Sequence, residues 1–167
     1  MFKLLDCIIV AHDLLTTLLA ALICLASMQV MFLLIRRVDE CAEARKPFWL
    51  IASACFGGLG IWSTHFVAML AYRTSAPVSF DWLVTGLSAL IAVGGVLESL
   101  RFLGRPSRRS TIAAALVLTL SVGAMHFMGM LAMKGLVRQS YDYPLFLGAV
   151  GFAFVGLPSP STYIRPG

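Results

Sequence analysis

Four long apolar runs divide the chain, at 8–35, 48–71, 81–100 and 111–133. An α-helix rises 1.5 Å per residue, so about 20 apolar residues cross a hydrocarbon layer of roughly 30 Å. Each run therefore predicts one full transmembrane helix. A fifth run, from Tyr143 to Leu157, is only ~15 residues long, short for a crossing. It meets Pro158 and Pro160, which cannot continue a regular helix. The pattern predicts an all-α integral membrane helix bundle of four spans plus a short or truncated fifth. Lys3 followed by an apolar run has the look of a secretory leader. That run continues too far, holds His12 and Asp13, and offers no small-residue cleavage site before Arg36, so it reads as a first span that stays.

Composition narrows the class. The 167 residues are 59% hydrophobic and 13% charged, with a mean hydropathy of +0.88. Soluble domains carry about 25% charged residues, so disordered, collagen-like and most soluble classes are excluded. A net charge of +5 could point to nucleic acid, but the basic residues fall in clusters between apolar runs. The segment 36–47 holds Arg36, Arg37, Arg45 and Lys46, and 101–110 holds Arg101, Arg105, Arg108 and Arg109. By contrast, 72–80 holds only Arg73, and 134–142 holds Lys134 and Arg138. The positive-inside rule then puts the two richer loops in the cytoplasm and the N-terminus outside, as expected of a multi-pass protein of the cell (inner) membrane with the lipid bilayer as its partner. Trp49, Tyr72, Trp82, Tyr141 and Tyr143 fall near span ends, as interfacial aromatics do. Cys7, Cys24, Cys41 and Cys55 form no CxxC pair and indicate neither a zinc site nor a disulfide framework.

The three histidines share one level. His12 lies near the outer start of the first span, while His65 and His126 each lie ~7 residues before the outer end of theirs, on the order of 5–10 Å inside the boundary. Thr64-His65-Phe66-Val67-Ala68-Met69-Leu70-Ala71 and Met125-His126-Phe127-Met128-Gly129-Met130-Leu131-Ala132 share His, Phe, Met, Leu and Ala in register, 61 positions apart (126 minus 65). That interval is one pair of spans, so the bundle reads as a repeated two-helix unit. His65 with Met69, and His126 with Met130, stand at i and i+4 on one helix face. Imidazole with thioether suits copper better than zinc, magnesium or calcium. Gly57, Gly58 and Gly60 before His65, and Gly123 and Gly129 around His126, are expected to let the helices approach and bring the histidines together.

Other readings stand beside this one. A lone histidine at that depth can snorkel or bond a neighbouring helix, and Met28, Met31 and Met128 can be simple packing. His12-Asp13 can be a helix N-cap instead of part of a site. A haem-binding protein with His65 and His126 as axial ligands is an alternative. A channel or transporter is weaker. Apart from Asp81 at the edge of the third run, Asp13 and Glu98 are the only acidic residues in the spans, at opposite levels, and Glu98 is placed to pair with Arg101 at i+3. No G-x-S-x-G, Walker loop or H-E-x-x-H is present, so no enzyme is expected.

The stretches Gly58–Ala71 and Gly123–Met130, with Ala11-His12-Asp13-Leu14 and Cys24-Leu25-Ala26-Ser27, resemble the bacterial MHYT sensor domain over roughly residues 8–150. The resemblance implies a membrane sensory domain that coordinates copper through Met and His near the outer face and senses oxygen, carbon monoxide or nitric oxide. It also implies a cytoplasmic output domain such as a cyclase, phosphodiesterase or histidine kinase, reached here in trans or through a homo-oligomer. Carried over by position, the metal set is His65 and Met69 with Met125, His126 and Met130, and His12 is a further candidate. Thr64 stands where the family has Met, Phe66 and Phe127 where it has Tyr, and Val67 and Met128 where it has Thr. The family's third motif is not present. Residues 1–157 are thus expected to form an incomplete sensor domain and 158–167 an unstructured Pro-rich tail, as in a truncated product with or without function.

Overall fold

The computed structural model describes residues 13–71, 79–105 and 107–134. His12, the apolar run 143–157 and the tail 158–167 lie outside the described residues. Helix α1 spans Leu14–Glu40, and a short 3-10 turn covers Glu43–Arg45 before α2, Lys46–Ala71. Strand β1, Ser79–Phe80, precedes α3, Trp82–Leu103. Helix α4, Arg108–Leu131, ends at strand β2, Met133–Lys134. All four long helices are long and apolar enough to cross a membrane, in agreement with the four expected spans.

Two aspartates start helices in the same way. Asp13 and Asp81 both sit at φ −75° and ψ 115°. Asp13 accepts from the Thr16 amide at 3.0 Å, and Asp81 accepts from the Leu83 and Val84 amides at 3.0 and 3.3 Å. The first-turn amides have no partner within the helix, and a short carboxylate satisfies them at the N-cap. Asp13 is therefore a cap, as its position next to Leu14 allowed.

The other helix ends differ from the apolar boundaries. Helix α1 continues to Glu40, taking Arg36 and Arg37 into the helix, while α3 runs on to Leu103 and α4 begins at Arg108. Hydropathy marks where hydrocarbon ends, whereas a helix ends where its backbone bonding stops. Ion pairs between side chains three positions apart, Arg37–Glu40 and Glu98–Arg101, line the extended turns. The expected Glu98–Arg101 pair is thus formed.

The helices make two hairpins, α1–α2 and α3–α4, joined by packing of α2 on α3. Small residues set each approach. A Cβ on Gly58 would lie 2.5 Å from Val93 Cα, so α2 and α3 touch backbone to backbone. Gly60 abuts Ser27 of α1, and Gly95 abuts Ser121 of α4. Gly57 faces Met31 and Val96, which with Ala54 form the buried cluster, and Met28 packs against it. Met28 and Met31 are packing residues. Side chains also bond between neighbouring helices: Trp62 Nε1 donates to Ser88 Oγ at 3.0 Å, Ser99 Oγ to the Ala114 carbonyl at 3.0 Å, and Ser110 Oγ to the Phe102 carbonyl. Outward, Leu15, Leu18, Leu22, Leu25, Leu90 and Leu120 are all exposed, a surface that water would penalise and lipid accepts.

One element departs from an all-α fold. Ser79 and Phe80 pair antiparallel with Lys134 and Met133, and the Asp81 amide donates to the Ala132 carbonyl at 2.8 Å. The start of α3 and the end of α4 lie side by side, and their extended backbones satisfy each other there.

Gly58→Ala is expected to destabilise the bundle by about 1–3 kcal/mol, because Val93 backbone cannot yield to the new methyl. Gly94→Ala, which meets open space, is expected to leave stability unchanged or gain up to about 1 kcal/mol of helix propensity. Thermal unfolding of both variants in detergent, followed by circular dichroism, checks the difference.

Candidate functional site

His65 and His126 meet. Each lies in the last two turns of its helix, and α2 and α4 run in the same direction, so equal distances from their ends give equal depth. The two Nδ1 atoms are 3.4 Å apart, with ring centroids at 4.8 Å and an interplanar angle of 65°. Each ring also meets the edge or face of the phenylalanine that follows it, His65 with Phe66 at 5.4 Å and His126 with Phe127 at 5.7 Å. The level inferred from two separate spans thus brings the two rings into contact.

Gly129 is the small residue that makes the contact possible. A Cβ there would lie 2.8 Å from His65 Nε2 and 3.1 Å from Cδ2, so the His65 ring lies against the bare backbone of α4. His65 Nε2 is buried without a hydrogen-bond partner, which leaves Nδ1 as the nitrogen turned to His126. The other glycines act differently from the expectation that they draw the histidines together. Gly57, Gly58 and Gly60 contact α1 and α3, and Gly123 meets nothing within 4 Å. Equal size does not mean equal facing on a helix that turns about 100° per residue.

The methionines separate into two kinds. Met69 and Met130, one turn beyond their histidines, are half-buried near the same end of the bundle. Met125 is 1% exposed, whereas the adjacent His126 is exposed. Met125 is therefore turned into the packed interior and His126 toward the bundle surface. Among the described residues no three His, Cys, Asp or Glu side chains gather, so a metal set here must draw on sulfur from methionine or on His12. Cys24, Cys41 and Cys55 are free thiols.

Phe66 belongs to the repeated motif, whereas Phe80 and Ser88 near the pair carry no signal of that kind in the sequence. Phe66 packs tilted against Trp62 at 4.8 Å and edge-on against Phe80 at 5.6 Å, so the strand before α3 forms a wall beside the pair. Trp62 is tied to Ser88, whose hydroxyl also donates to the Thr85 carbonyl at 2.7 Å. The signal for Phe80 was slight: it precedes the capping Asp81 as His12 precedes Asp13.

An apolar-surfaced bundle of four spans, with two histidines paired near one end, defines a multi-pass membrane protein. The model of the MHYT family, a bacterial signalling protein N-terminal repeat, matches residues 58–116 and 120–157. The chain is 36% identical over 140 residues to the cyclic di-GMP phosphodiesterase NbdA of Pseudomonas aeruginosa, covering 80% of this chain and 18% of that protein. It is 39% identical over 111 residues to the bifunctional diguanylate cyclase/cyclic di-GMP phosphodiesterase MucR of the same organism, covering 64% and 16%. With the signaling protein YkoW of Bacillus subtilis the identity is 29% over 145 residues, covering 83% and 18%. The chain belongs to the MHYT family of bacterial signalling proteins. It spans less than a fifth of the length of these curated relatives. No solved structure matches it.

Gly129→Ala is expected to part the two imidazoles while the helices stay folded. The check is the nuclear Overhauser contact between the ring protons of His65 and His126, lost in Gly129→Ala and kept in Gly123→Ala.

Proposed function

We propose that this chain is the membrane-embedded sensing module of a signalling protein and that it holds a copper ion at the His65–His126 pair. The observation that carries this reading is the pair of Nδ1 atoms 3.4 Å apart, from two helices, within a bundle end surrounded by lipid-facing side chains. Two nitrogens each ~2.0 Å from one ion, the usual imidazole–metal distance, are 3.4 Å apart when they subtend roughly 115°, close to a tetrahedral or trigonal angle. Met69 and Met130, one turn beyond their histidines, would add thioether, the ligand that favours Cu(I). His12 remains a candidate ligand, and the burial of Met125 makes it the weakest of the set. When bound, copper with few protein ligands supplies an open position for a diatomic gas such as O2, CO or NO. Haem fits less well, because rings with centroids 4.8 Å apart leave no space for a porphyrin plane between them.

The module reads as two copies of one hairpin. In the first, Ser27 lies 14 positions after the capping Asp13 and packs on Gly60, five positions before His65. In the second, Gly95 lies 14 positions after the capping Asp81 and packs on Ser121, five positions before His126. The crossing is kept while serine and glycine exchange sides. The histidines then stand at equivalent places in the two copies, and whatever holds them together holds α2 against α4.

In this reading the basic turns face the cytoplasm, the histidine end faces outward, and the membrane is the inner membrane. The relatives' names carry phosphodiesterase and cyclase activities, and the chain covers less than a fifth of them. Catalysis is accordingly assigned to other domains, reached within a longer protein, in trans or through a homo-oligomer, and not to this module.

Titration of Cu(I) into the purified protein in detergent tests the site. Wild type is expected to bind, His65→Ala and His126→Ala each to weaken binding at least about ten-fold, a loss of ~1.4 kcal/mol, and the double variant to abolish it. Equal binding by wild type and the double variant refutes the copper reading, and a Soret band in the purified protein would favour haem.

A further inference from the structure

We propose that the α3–α4 turn is a docking site for the phosphodiester headgroup of an anionic phospholipid, held by Arg105, Arg108 and Arg109. The two turns at the end of the bundle opposite the histidines differ in charge. Around the α1–α2 turn, Arg36, Arg37, Arg45 and Lys46 are interleaved with Asp39, Glu40 and Glu43. Two ion pairs form there, Arg37–Glu40 at 3.4 Å and Lys46–Glu43 at 2.5 Å. At the α3–α4 turn Arg101 pairs with Glu98, and the next acidic residue in the sequence is Asp142. Arg105, Arg108 and Arg109 are exposed and form no ion pair among the described residues.

Hydrogen bonds tie the described residues next to these three cations. The Arg105 amide donates to the Phe102 carbonyl at 3.1 Å, and the Ser107 amide to the Arg105 carbonyl at 2.8 Å. The buried hydroxyls of Ser110 and Ser99 bond across from one helix to the other on either side of this turn. The Arg105 guanidinium lies 5.6 Å from the Phe102 ring centroid, so an aromatic face orients it. Leu103 next to the turn, and Ile112 and Leu116, which follow Arg108 at i+4 and i+8 on one face of α4, are exposed. Guanidinium groups above an apolar wall match a molecule with an anionic head and a hydrocarbon body. An acidic protein segment would use the charges and leave the wall uncovered. Guanidinium is also the cation best shaped to hold phosphate oxygens two at a time.

Near an anionic surface each basic side chain contributes about a five-fold gain, so three amount to about 100-fold. The test uses the full chain in mixed micelles of phosphatidylglycerol and phosphatidylcholine, with retained lipid read by native mass spectrometry. Wild type is expected to retain phosphatidylglycerol preferentially, and Arg105→Gln/Arg108→Gln/Arg109→Gln to lose that preference. Arg36→Gln/Arg45→Gln, which removes two cations from the other turn, is expected to keep it. The triple Lys variant, which keeps the charge, is expected to retain part of it, and high salt to lower it in wild type. Three results would overturn the proposal: unchanged preference in the triple Gln variant, an equal loss in the Arg36/Arg45 variant, or wild-type preference insensitive to salt. Displacement of the lipid by an equal concentration of inorganic phosphate would show a phosphate site and not a lipid one.

Discussion

Between helices in a bilayer the hydrophobic effect does little, since a leucine is as well solvated by acyl chains as by another leucine. Association must come from surfaces that fit at short range and from polar atoms with no other partner. Everything placed in this bundle depends on that constraint. Gly58 lies against the Val93 backbone, Gly60 against Ser27 and Gly95 against Ser121, so each pair of neighbouring helices in the chain is fixed at a point where a side chain is missing. Serine suits the facing position because its hydroxyl folds back onto its own helix, as Ser121 does toward the Val117 carbonyl at 2.7 Å. It then presents little bulk and no unsatisfied donor.

The histidine pair is a consequence of the same rule applied once more. Two imidazoles cannot meet from parallel, non-adjacent helices unless one helix offers a gap, and Gly129 is that gap. The aromatic wall of Phe66, Trp62 and Phe80 then closes the other side, so His65 is held from two directions while His126 stays nearer the surface. Among the described residues the paired imidazoles thereby lie at one end of the bundle and the arginines at the other.

How much of this was legible in the chain follows from what each signal measures. The four spans were visible because a bilayer requires about 20 apolar residues whatever they pack against. The helices run past the apolar runs at the arginine-bearing end, because Arg36, Arg37, Arg108 and Arg109 leave the apolar stretch without leaving the helix. The pairing of His65 with His126 was readable from equal depth and shared neighbours, two properties carried by position alone. What a residue faces is not carried that way. Gly123 and Gly129 look alike in the sequence, yet one meets open space and the other meets an imidazole. Phe80 joined the site only because two extended residues before α3 pair with two after α4, a contact across more than fifty positions with no local pattern to announce it.

Because α2 and α4 point the same way, the spacing of the two rings depends on how far one helix has slid along the other. A slide of a single residue is about 1.5 Å, several times the range over which a hydrogen bond or a metal bond keeps its length. The pair of imidazoles therefore behaves as a vernier. It ties the axial register of two long rods to a contact at one end, and the arginines of α4 stand at the other end of the same rod.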